Sequence, residues 1–149
     1  MLWLGHLEKE VHYAGHAFVI RTLKAVEEID AGLIAREYEN SFGVVKANAW
    51  AQLAAAIAAI DGKSIEEICP PSGPDKRQNL RGKFNYLTEN WYWPVAAKLF
   101  EEYAELLREQ AIAIEAVQDL SAGTLSNFWA SSESSTGQKS STATHQVSI

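Results

Sequence analysis

The side chains of this chain that could do chemistry are few, and their spacing argues against each reaction they suggest. His6, His12 and His16 lie close together and invite a metal site. If Ala14-Gly15 is a two-residue turn, His16 stands opposite Tyr13 and His12 opposite Ala17, so these imidazoles leave opposite faces of the ribbon and share no ion. Asp61-Gly62-Lys63-Ser64 copies the end of a phosphate-binding loop, yet Ile57 stands where that loop needs its first glycine, and the residues leading in read as helix, not strand. Cys69, the single cysteine, sits among prolines with no base at local spacing. Glu27/Glu28, Glu66/Glu67 and Glu101/Glu102 are adjacent pairs. On a helix such neighbours project about 100° apart, so they form a solvated face, not an acid and base converging on one bond. No catalytic residue, metal or cofactor is expected, and the chain reads as a non-enzyme.

Bulk properties narrow the partners. A formal net charge of -6 over 149 residues opposes work that depends on neutralising phosphates. Lys76, Arg77, Arg81 and Lys83 do precede Tyr86, Trp91, Tyr92 and Trp93, which imitates a basic groove with stacking rings. Glu89 interrupts that run and Glu101, Glu102, Glu105 and Glu109 follow it, so nucleic acid is disfavoured. Val44 to Ile60 is apolar but alanine-rich, short for a bilayer and broken by Lys46, Asn48 and Gln52, so no membrane span is expected. The opening MLWLGHLEKE lacks the basic start and sustained apolar run of an export signal, and one cysteine suits a reducing compartment.

The elements that would position these residues are mainly helical. EVHYAGHAFVIRTLK alternates as a short hairpin over about 10–23, with Phe18 and Ile20 on one side. From Lys24, apolar residues recur at Val26, Ile29 and Leu33, with Ala31 and Ile34 beside them, predicting an amphipathic helix whose Gly32 marks close packing or a bend. The alanine-rich segment predicts a central helix anchored by Trp50, Leu53, Ile57 and Ile60 and ended by Asp61-Gly62. Ser64 caps one further turn. Pro70 to Asp75 reads as an exposed connection and the best internal hinge. A helix carrying Leu80, Phe84 and Leu87 follows, and Pro94 opens a last helix from about Trp93 to Leu120. In that helix Leu99, Tyr103, Leu106, Gln110, Ala113, Val117 and Leu120 form a heptad seam with one polar interruption. The fold class is therefore mainly α: a small helical domain over about 1–122 with a short N-terminal β-hairpin, helices over about 24–120, a long C-terminal amphipathic helix, and a disordered Ser/Thr-rich tail over 123–149.

Between the last two helices stands Trp91-Tyr92-Trp93-Pro94, a corner suited either to filling a junction or to anchoring a partner. The order of segments is itself distinctive: a hairpin ending in FVIRTLKAVEEIDAGLIAREYE, an alanine-rich helix with DGKS, a basic cluster, then KFNYLTENWYWPVAAKLFEEYAELL and a polar tail. This order, with its RTL and WYWP regions, resembles the tail assembly chaperones of long-tailed bacteriophages over about Glu10 to Leu120. The resemblance implies a non-enzymatic protein of the host cytoplasm that coats the helical tape measure protein during virion morphogenesis and is absent from the mature particle. It further implies hand-over to the tail tube protein, with a longer form made by programmed ribosomal frameshifting, and it leaves room for a homo-oligomer. The pattern itself nominates Trp91, Trp93, Phe100, Tyr103 and Leu107 as protein-binding anchors. The rival readings are a structural helical component of a phage tail or connector, which would use the same seam for permanent assembly, and a small nucleic-acid-binding regulator.

Overall fold

The computed structural model describes residues 5–130, with side chains to 119. β1 (Glu8–Tyr13) and β2 (His16–Arg21) form the expected hairpin, starting slightly earlier than predicted. Ala14 and Gly15 both take positive φ, 56° and 81°, as a two-residue turn matched to the twist of the strands requires. The register places Tyr13 against His16 and His12 against Ala17, so His12 and His16 do leave opposite faces. Lys9, Val11 and Tyr13 share the inner face with His16, Phe18 and Ile20, and Val11, Phe18 and Ile20 are buried. Beyond the ladder, the Thr22 N–H donates to the Leu7 carbonyl (3.0 Å) and the Leu7 N–H to Thr22 Oγ1 (2.9 Å), which satisfies the buried Thr22 hydroxyl.

α1 (Ala25–Ala35) begins where Glu27 reaches back to accept the Lys24 N–H (2.8 Å) while also receiving both terminal nitrogens of Arg21 (3.0 and 2.7 Å). Its buried residues are Ala31, Ile34 and Ala35. Val26 and Ile29, expected inside, are exposed. The partner explains the exchange: α2 (Val44–Ala56) buries Ala47, Ala51, Ala54 and Ala55, and an alanine face on each helix lets the backbones approach as branched residues would not. Gly32 has no part in this contact, since a Cβ built on it meets nothing within 4 Å.

The alanine-rich helix is shorter than its composition suggests. It stops at Ala56, and Ile57–Ile60 is β3, which pairs antiparallel with β2 and, through Asp61-Gly62, with the two-residue β4 (Lys63–Ser64). The sheet therefore has four strands in the order β1-β2-β3-β4. Ile57 and Ile60, three apart, would face opposite sides of a regular strand. A register shift between Val19 and Ile20 sets Ile57 opposite Ile20 and Ile60 opposite Phe18, so both isoleucines turn inward. The change of structure thus preserves the spacing that had suggested a helix. Asp61 and Gly62 take φ of 52° and 84°, a second two-residue hairpin turn.

α3 (Ile65–Ile68) is one short turn, with the Ser64 N–H donating to Glu67 (3.2 Å). The proline connection is exposed but tied: Asn79 accepts the Ser72 N–H (3.0 Å) and donates to the Gly73 carbonyl (2.9 Å), which makes a free hinge there a poor description. α4 (Lys76–Asn90) starts at Asp75, whose carboxylate accepts the N–H groups of Arg77 and Gln78, and buries Leu80, Phe84 and Leu87 as read. α5 runs from Trp93 to Ala130, with Pro94 in its first turn. It passes through Gly123, where the composition placed the start of the tail; the rest of that tail, 131–149, lies outside the described residues.

The chain divides after Ala111. In the first unit α5 contributes Ala96, Leu99, Tyr103 and Leu106 to the core, and Lys9 of β1 pairs with its Glu102 (2.6 Å) and Glu105 (2.9 Å). Gln110, the polar interruption in the seam, donates its side-chain amide to the Gly5 carbonyl (2.6 Å). The described part of the second unit is the C-terminal length of α5, on which Ile112, Ile114 and Val117 are exposed.

Candidate protein-binding surface

The Trp91-Tyr92-Trp93 corner is built by the end of α4 and the start of α5, and its three rings take three environments. Trp91 packs edge-on against Phe18 (5.4 Å between ring centroids) and His16 (5.2 Å), closing the end of the sheet. His16 is itself held by Asp61, Nδ1 to Oδ2 at 2.6 Å, and the other oxygen of Asp61 accepts the Ala17 N–H at 2.9 Å. These contacts hold the Asp61 carboxyl below its usual range. Trp93 packs against Trp50 of α2 (6.5 Å) and carries the Lys46 ammonium over its ring at 5.0 Å. Tyr92, between them, is 80% exposed.

Of the anchors expected from sequence, Tyr103 is fully buried and presents nothing to a partner. Burial pushes its hydroxyl up to about 12, and that hydroxyl has no hydrogen-bond partner among the described residues. Trp91, Trp93, Phe100 and Leu107 are partly buried, each packed against the core with part of its surface open. The corner is thus a junction first, with a residual outer surface.

The more open apolar surface is on α1. Val26 is 56% and Ile29 61% exposed, and Leu33, one turn on, is half-buried and outside the core cluster. At spacings of three and four these residues lie along one line of the helix, on the side away from Ala31, Ile34 and Ala35. α1 therefore has two apolar faces and uses one of them. The sequence did contain this stripe, but reading it as the core face hid it. Phe42 and Val45, at the start of α2, and Tyr92 add further exposed apolar surface.

Three of the four basic residues before the aromatic corner are spent on ion pairs at the surface of the fold. Arg77 pairs with Asp30 (3.2 Å), Arg81 with Glu37, and Lys83 with Glu66 (3.0 Å), so α4 is clamped to the helical turns around it. Arg81 and Lys83 hold the carboxyls of Glu37 and Glu66 below their usual range. A cleft of about 290 Å³ opens nearby, lined by charged residues including Arg21, Glu27, Asp30, Glu66 and Lys83 and by Ala55 and Leu80, and Val26 at the start of the α1 stripe stands on its wall. Its acids and bases largely neutralise one another. Burial pushes the Cys69 thiol up, opposite to what an activated nucleophile needs. Among the described residues no three metal-ligating side chains converge, and no helix is long and apolar enough to cross a membrane.

No family model matches this chain, and neither the curated proteins nor the solved structures contain a match to it.

Proposed function

We propose that this protein is a tail assembly chaperone of a long-tailed bacteriophage, a non-enzymatic binder that keeps the tape measure protein soluble in the host cytoplasm while the tail is built and does not remain in the virion. The observation that carries this reading is the second apolar face of α1. A client made of long amphipathic helices aggregates through its apolar stripes, and an uncovered stripe at helical spacing is the surface that covers such a client helix against helix. The residual surface of Trp93, Phe100 and Leu107 is a second contact of the same kind.

The strength of contact fits a transient holder. Fully covering a valine or isoleucine contributes about 1.5–3 kcal/mol, so Val26 and Ile29, already partly covered, add about 2–3 kcal/mol together. A contact of that size, repeated along a client, holds it reversibly and releases it to the tail tube protein. A permanent tail or connector component calls for a larger and better packed interface. The acidic balance of the chain keeps a coated client dispersed.

The test is co-expression with the tape measure protein of the same tail gene cluster. The client is expected to be soluble and to co-purify only in the presence of this chain. A client equally insoluble with and without it, and no recoverable complex, would defeat the proposal.

A further inference from the structure

β1 is the open edge of the sheet. In the β1-β2 ladder Tyr13 pairs with His16 directly across the turn, so Lys9, Val11 and Tyr13 spend their backbone groups on β2, while those of Glu8, Glu10 and His12 point the other way. The same alternation on β2 is visible in Ala17, whose N–H and carbonyl turn away from β1 to meet Asp61. No backbone partner for the outward groups of Glu8, Glu10 and His12 occurs among the described residues.

Such edges are commonly guarded by a proline, a bulge, an inward-pointing charge or charged side chains along the edge, and Glu8 and Glu10 supply the last, which opposes a strand of like charge and admits one that sets an opposite charge across from them. β1 has no proline, and its ladder with β2 is regular throughout. Its one inward charge, Lys9, is drawn to Glu102 and Glu105 of α5 and neutralised there, so it does not block the edge.

We propose that this edge pairs antiparallel with β1 of a second copy of the chain, centred on Val11. Residues with outward backbone groups must stand opposite residues with outward backbone groups, which limits the registers, and charge selects among them. Centring on Val11 sets Glu10 opposite His12 of the second copy and His12 opposite its Glu10, each pair exchanging both backbone hydrogen bonds, so the exposed contact of 3.3 Å that His12 and Glu10 make within one strand is joined by the same contact across strands. On the other face Val11 stands opposite Val11 and Lys9 opposite Tyr13, but Val11 is already buried and Lys9 already held by Glu102 and Glu105, so the choice of register rests on the outer face. Centring on Glu10 opposes two glutamates, and centring on Lys9 opposes two lysines, both unfavourable. The second copy is thus specified by the outer face of the edge itself: acid meets imidazole on both sides of the two-fold axis.

Sedimentation equilibrium of the full chain, read with amide hydrogen exchange at low and high protein concentration, tests this. The expected result is a monomer–dimer equilibrium in which the Glu10 and His12 amides gain protection on concentration and those of Lys9, Val11 and Tyr13 do not change. Glu10→Pro removes an outward N–H that the monomer does not use, and Glu10→Lys sets an ammonium opposite His12; each is expected to weaken dimerisation by about tenfold or more. A monomer at every concentration, protection gained anywhere but the outward amides, or a folded Glu10→Lys protein that dimerises like the wild type would overturn it.

Discussion

The seam of α5 and the outer stripe of α1 are the same pattern with opposite fates. Leu99, Tyr103 and Leu106 recur at spacings of four and three and are almost wholly buried. Val26, Ile29 and Leu33 recur at three and four, and Val26 and Ile29 remain more than half exposed. The difference lies in what stands opposite. α5 shares one core with the large residues Val11, Phe18 and Ile20 of the sheet and is tied to β1 through Lys9, whereas α1 meets the alanine face of α2 and turns its own alanines toward it. Periodicity says that a helix has an apolar line. It does not say which neighbour will cover it.

The largest effects should come from the buried seam. Tyr103→Ala is expected to destabilise the protein by about 3–5 kcal/mol and Leu106→Ala by about 2–5 kcal/mol, measured by urea unfolding, because each leaves a cavity in the core. A loss below about 1 kcal/mol at either position would mean that α5 is not packed as described.

The Tyr103 hydroxyl gives a pH signature of the same burial. The unfolded chain ionises this group near about pH 10, but in the folded protein it is held up to about 12. The unfolded state therefore loses the proton first, and stability falls as pH rises from about 10 to about 12, by about 2 kcal/mol at most. Tyr103→Phe should flatten this part of the stability profile without loss of stability at neutral pH, since the hydroxyl has no partner among the described residues. An unchanged profile would contradict the burial.

Smaller effects sharpen the other side of the comparison. Gly32→Ala on α1 should stabilise the protein by about 0.5–1 kcal/mol, because the helix gains propensity and the added methyl meets nothing. A loss of stability would reveal packing on that side of α1.

These contrasts also mark how far the residues could be read without coordinates. The hairpin, its register and the Ala14-Gly15 turn followed from alternation and one dipeptide, and the buried face of α4 and the Pro94 start of α5 from local rules. β3 did not follow, because a bulge in its pairing with β2 lets Ile57 and Ile60 keep a helix-like spacing while sharing one side of a strand. The available signal was Asp61-Gly62, a strong hairpin dipeptide that also reads as a helix stop. At the candidate surface, Trp91 and Trp93 were legible as a junction, but aromatic composition cannot distinguish a ring facing Phe18 from one facing a partner. Tyr103 fell on the buried side for the same reason that Val26 fell on the open side: burial is decided by the element opposite, which lies far away in the chain.

A small effect on stability is expected where the functional effect is greatest. Val26→Ser combined with Ile29→Ser should change unfolding free energy by no more than about 1 kcal/mol, about 0.5 kcal/mol at each position, since neither side chain is in the core. The decisive measurement is the soluble yield of the tape measure protein co-expressed with this double variant and with the wild type. The account predicts a folded variant that no longer recovers soluble client. A folded variant that recovers as much client as the wild type would contradict the claim that the second face of α1 is the client-binding surface.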